Sequence, residues 1–288
     1  MAIGAQSLPL TLLSTRALSG GNVLTEWAAP GLTINVASEP GATVSLIPVA
    51  ADPGQESLML VVAPPAHSSP AATPSLGVDQ AAVQQASDSH GAQAPAPPAM
   101  TSAATSARAE AKVASSNSPF HVACTNVQDN SSGESWSSCL DQTWLATGSG
   151  SCGCWYSSNQ ISSSVYQAPN YGWGLSKIEE YYCYCNGYTY NRVGDWGPEQ
   201  TYFGPSGSFT LSAGFGGLSA SITQALTSNT RLDPNYPNGT TDAAFGSTWS
   251  SSSGTVGQWD SAKSVAIVNP GVGSPGDADL HQIVTITS

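Results

Sequence analysis

Six cysteines stand at Cys124, Cys139, Cys152, Cys154, Cys183 and Cys185, and four of them form two Cys-x-Cys pairs. On a strand, residues i and i+2 point to one face. Two such pairs on neighbouring strands can cross-link twice and leave Cys124 and Cys139 for a third bridge. This is one of many pairings open to six cysteines. Four thiolates can also hold zinc, but Cys-x-Cys is tighter than the usual ligand spacing, and the nearest histidine in sequence is His121. The even count predicts disulfides at all six positions, with no metal and no cofactor. Disulfides imply an oxidising compartment, so the expected location is extracellular or cell-surface.

Carboxylates are the second source of chemistry. Glu179, Glu180 and Asp195 lie among aromatic residues. A glycosidase needs two carboxyl groups across a sugar, roughly 5–9.5 Å apart. These three are the acid/base candidates, although adjacent acids more often mark a solvated strand edge. A nucleophilic triad has little to stand on: there is no Gly-x-Ser-x-Gly elbow, and the histidines are His67, His90, His121 and His281. The alternation Asp277, Asp279, His281 reads as an exposed edge rather than a metal site. Sequons at Asn130 and Asn238 are of the kind that chance supplies in a Ser/Thr-rich chain.

Tyrosine and tryptophan join a flat apolar face to a hydrogen-bonding edge, which suits sugar stacking and interfaces. The binding candidates are Trp155, Tyr156, Trp173, Tyr182, Tyr184, Tyr188 and Trp196. Tyr182, Tyr184, Tyr188 and Tyr190 share one strand parity, and Tyr181 has the other. The competing expectation is that these rings pack a cysteine-rich core, the commoner use of aromatics.

These residues need elements to position them. Of the aromatic residues, only Trp27 precedes Phe120, and every cysteine follows it. The main unit is therefore expected over residues 119–288, a Cys- and aromatic-rich, mostly-β domain of antiparallel sandwich type with one or two short helices. Trp136, Cys139, Leu140 and Trp144 fall at helical spacing and predict a helix over Ser135–Leu145; a second is expected over Ser157–Tyr166. Ser208–Phe215 and Leu218–Leu226 flank Gly216-Gly217 and predict a hairpin. Val265–Val268 and Ile283–Ile286 read as late strands.

Before that unit, Pro-Gly recurs at Pro30-Gly31, Pro40-Gly41 and Pro53-Gly54, each followed by a β-rich run. Residues 24–63 are expected to form a small β-meander with a thin core. Residues 64–118 are rich in Ala, Pro and Ser and hold no aromatic residue, so they read as a disordered linker. Residues 1–23 carry an apolar stretch, Leu8–Leu13, with no Lys or Arg before it; no signal peptide is readable and the segment stays unassigned.

Charge limits the partners. The chain has 288 residues, of which 7 are basic and 19 acidic, giving a net charge of −12. Seven basic residues cannot coat a nucleic acid, and no apolar run is long enough to span a membrane. The expected function is non-catalytic: a secreted or surface protein that binds a glycan or a surface protein, or contributes to an extracellular structure. The alternatives are a secreted hydrolase acting on carbohydrate and a processed toxin or antimicrobial. Oligomeric state is not legible from the sequence.

Overall fold

The computed structural model describes residues 7–18, 21–65, 119–147, 155–183, 192–198, 202–203, 208–215, 218–225, 231–235, 244–269 and 278–288. The strands are β1 (Thr11–Ala17), β2 (Val23–Ala29), β3 (Leu32–Ser38), β4 (Thr43–Pro48), β5 (Gln55–Ala63), β6 (Pro119–Asp129), β7 (Glu134–Thr147), β8 (Trp155–Gln167) and β9 (Gly174–Cys183). They continue as β10 (Arg192–Gly197), β11 (Tyr202–Phe203), β12 (Ser208–Phe215), β13 (Leu218–Ala225), β14 (Arg231–Asn235), β15 (Ala244–Thr255), β16 (Trp259–Asn269) and β17 (Asp279–Thr287).

Two antiparallel sheets share one core. Sheet A has the order β1-β2-β3-β6-β7-β8-β16-β10, and sheet B the order β11-β14-β15-β9-β17-β5-β4. The shared core takes Ile34, Val36, Val127, Trp136, Leu140 and Ile161 from sheet A, and Leu46, Leu60, Leu175, Ile178 and Val284 from sheet B. This is the mostly-β, sandwich-like architecture that the strand pattern predicts. The predicted hairpin is present as β12 and β13, in register from Ser208↔Ala225 to Phe215↔Leu218. The late strand β17 is central, paired with β9 on one side and β5 on the other.

Both expected helices are strands. Along β7 the side chains of Trp136, Ser138, Leu140 and Gln142 are buried, and their shared parity turns them to the core. Cys139 has the other parity and is bonded to Cys124. Two polar residues on the core face and one apolar residue on the other imitate a helical period. Residues 157–166 lie in β8, where serine on both faces erases the alternation. Pairing with distant strands overrides local preference in such segments.

The strands within 24–63 divide between the sheets. β3 pairs with β6, while β5 pairs with β17. They are therefore not a meander closed on itself. At the Pro-Gly turns, Gly31, Gly41 and Gly54 have φ of 80°, 88° and 82°. That conformation, which glycine adopts freely, matches a type II turn after proline. Between β3 and β4 the chain crosses from sheet A to sheet B, and there Glu39 Oε1 lies 2.5 Å from His121 Nδ1 on β6. The described part of the unassigned N-terminal segment joins the sheets: Leu8 N–H donates to the Leu46 carbonyl (2.7 Å), then the chain enters sheet A as β1. Of the linker expected at 64–118, residues 66–118 lie outside the described residues.

Candidate functional site

Adjacent residues on a strand face opposite ways, and this separates Glu179 from Glu180. Glu179 is partly exposed, and its Oε2 is 2.8 Å from Lys177 Nζ. Glu180 faces the core and is fully buried. It lies in one cross-strand row with Ser247 and Gln282, and its Oε1 accepts a hydrogen bond from Ser247 Oγ (3.2 Å). Burial pushes the Glu180 carboxyl up to about 7; the hydroxyls of Ser163, Ser247 and Ser264 and the charge of Lys263 pull it back. The two glutamates therefore do not face one substrate between them. Asp195 stands on β10 opposite Ile267; its side chain lies outside the described residues.

The row around Glu180 is a polar band within the core. Ser138 and Ser163 share a hydrogen bond of 2.8 Å. Gln142 Nε2 donates to Asn159 Oδ1 (3.1 Å), and Gln142 Oε1 accepts from the backbone N–H of Ala278 (2.8 Å). Gln282 Nε2 on sheet B donates to the Ser137 carbonyl on sheet A (3.4 Å). Such cross-sheet bonds set how the layers sit on each other, because a displaced layer leaves buried polar atoms unpaired.

The described members of the aromatic belt mostly pack. Tyr182 is 1% exposed and lies in the core. Its ring is 6.1 Å from Phe245, which is 5.7 Å from Trp196. These rings link β9 and β15 of sheet B to β10 of sheet A. Trp173 is half-buried just before β9. Trp155 and Tyr156 begin β8, but their side chains lie outside the described residues, as do Tyr184 and Tyr188 altogether. The opposite parity of Tyr181 holds: its ring stacks on His281 across β17, centroids 4.5 Å apart. Asp279 Oδ2 is 3.9 Å from His281 Nε2.

Cys124 and Cys139 stand opposite each other in the β6–β7 register and form a disulfide. The bridge packs with Leu24, Ala37 and Val122. Cys183 is also disulfide-bonded, with its partner outside the described residues. Cys152, Cys154 and Cys185 lie outside them as well. Among the described residues, no three His, Cys, Asp or Glu side chains cluster to hold a metal. Also among them, no helix is long and apolar enough to cross a membrane.

The feature that sequence reasoning missed is β1. All seven of its residues are exposed. Among the described residues it pairs only with β2 and ends sheet A, so its outer backbone groups face away from the described strands. Leu12 and Leu13 are 49% and 55% exposed. A register shift falls between Leu12 and Ser14, and Ser14 Oγ donates to Glu26 Oε2 on β2 (3.2 Å). Leu8 and Leu10, packed against the core, anchor its start. The sequence signal was weak: Thr11–Ala17 holds two β-branched residues, Thr11 and Thr15, and no alternation of apolar and polar residues. Comparison with known proteins matches the chain to no family model and to no curated protein.

Proposed function

We propose that this chain is a non-catalytic, extracytoplasmic structural protein that joins a second copy of itself by strand addition at β1. The observation that carries the reading is the outer edge of β1, which no described strand covers and which is exposed along its whole length with two large apolar side chains. Soluble proteins usually cover or charge such an edge, because it is a template for another strand. β1 has one charged residue, Arg16. A second copy fits because antiparallel pairing of two β1 strands about a two-fold axis is self-complementary. It sets the Arg16 end of each strand near the Leu12 end of the other and continues sheet A across both molecules. The Cys124–Cys139 bridge supports an oxidising compartment.

Sedimentation velocity over a concentration series tests this. Wild type should show reversible association that strengthens with concentration. The double variant Leu12→Lys, Leu13→Lys should remain monomeric with an unchanged circular dichroism spectrum, since both side chains are already exposed. A wild type that is monomeric throughout, or a double variant that associates equally well, removes the reading.

A further inference from the structure

Where β6 turns into β7, four oxygen-bearing side chains come together. Asp129, Glu134 and Gln167 are register partners across β6, β7 and β8, so they form one row on one face of sheet A. The turn between Asp129 and Glu134 contains Ser132. Asp129 Oδ1 accepts from the backbone N–H groups of Ser131 (2.7 Å) and Ser132 (3.3 Å) and from Ser131 Oγ (2.5 Å). Those bonds all fall on Oδ1 and leave Oδ2 outside them. Gln167 Nε2 donates to the carbonyls of Ser132 (2.6 Å) and Ala168 (3.3 Å), which fixes the direction of its amide. The backbone joins the same groups, with Ala168 N–H donating to the Gly133 carbonyl (3.0 Å). The Tyr171 ring lies over Gly133.

Within this frame, three side-chain oxygens are buried without a hydrogen-bond partner: Glu134 Oε1, Gln167 Oε1 and Ser132 Oγ. Glu134 and Ser132 are each 4% exposed and Gln167 is 0%. A buried, unsatisfied acceptor costs about 1–3 kcal/mol. Two of the four groups are carboxylates on neighbouring strands, and they repel when both are ionised. Every donor is an oxygen, some charged and some neutral. Hard divalent cations take this donor set. Calcium tolerates mixed carboxylate, amide and hydroxyl oxygens in flexible geometry, whereas magnesium demands a near-ideal octahedron and keeps its waters.

We propose that Asp129, Ser132, Glu134 and Gln167 form a calcium site that ties the β6–β7 turn to the end of β8. With only two carboxylates, its dissociation constant should fall around 10⁻⁴–10⁻³ M, the range of extracellular calcium modules. Binding would set a positive charge between the Asp129 and Glu134 carboxylates and so offset their mutual repulsion. Calcium would bind the folded chain alone and so stabilise it by an amount that grows with the logarithm of calcium concentration above the dissociation constant.

Terbium luminescence excited through tryptophan tests the site, because Trp136 lies two residues along β7 on the same face as Glu134. Wild type should show sensitised emission that calcium displaces and magnesium displaces far less well. Its melting temperature should rise with calcium. Glu134→Gln keeps the shape and removes one of two charged ligands, so terbium affinity should weaken at least about tenfold. Should that variant fail to fold, Asp129→Asn at the half-buried turn repeats the measurement. No sensitised emission, equal titrations in wild type and variant, or equal displacement by magnesium would each overturn the calcium assignment.

Discussion

At the scale of single residues, the informative feature is the burial of acids. Glu180 and Glu134 are carried into the sandwich by strand parity and pushed up to about 7 and about 8. Their folded-state values lie above their ordinary value of 4.5, so the folded protein holds protons that the unfolded chain releases. Their contribution is therefore most favourable in mild acid, below the unfolded value, and is lost as pH rises through the folded values. In metal-free buffer with a chelator, the melting temperature should fall between about pH 5 and pH 8. Glu180→Gln should be close to neutral at the acid end. At the alkaline end it should stabilise by roughly 3 kcal/mol, since each pKa unit between 4.5 and about 7 corresponds to about 1.4 kcal/mol. Denaturant unfolding of both proteins at the two pH values measures it; parallel pH profiles would contradict the role given to Glu180.

At the scale of elements, strand register determines what each side chain can do. Cys124 and Cys139 can bond because β6 and β7 set them opposite each other. Glu179 and Glu180 cannot work as a pair because consecutive residues on β9 diverge. The β9–β15 ladder has its own constraint at Gly246, where a Cβ would lie 1.7 Å from the Glu180 carbonyl oxygen. Backbone cannot yield as a flexible side chain does, so Gly246→Ala must separate the two strands. We expect a loss of about 2–3 kcal/mol or more, read by denaturant unfolding. An alanine variant of wild-type stability would mean that the ladder is looser there than the geometry implies. The helical spacing over Ser135–Leu145 misled for a related reason: a disulfide cysteine and core polar residues exchanged the faces on which apolar and polar residues are expected.

At the scale of the whole molecule, the two ends of the chain build one object. Residues before 66 supply three strands of sheet A and two of sheet B. Ile34, Val36, Leu46 and Leu60 place their side chains in the shared core. β3 covers an edge of β6, and β5 covers an edge of β17. A single protease cut within 66–118 should therefore leave two pieces that co-elute in native buffer and separate only in denaturant. A fragment beginning at Pro119 should not fold alone, because it would bare the edges of β6 and β17 together with their apolar faces. Separate elution of the cut pieces, or cooperative unfolding of the isolated fragment, would show that residues 119–288 stand by themselves.

Much of the class was legible in the residues alone. Pro-Gly turns, alternating apolar positions and the clustering of cysteines and aromatics specify a mostly-β, disulfide-bonded chain, because turn geometry and strand parity are local properties. The pairing of Cys124 with Cys139 was legible as one choice among many, and the packing role of Tyr182 as one of two. The partition of residues 24–63 between two sheets, the burial of Glu180 and the meeting of Asp129, Ser132, Glu134 and Gln167 were not. Each depends on which strands become neighbours, and that is decided by the joint burial of apolar surface from segments far apart in the chain. The place of β1 at the end of sheet A among the described strands is decided in the same way, since an edge exists only once a sheet has an order.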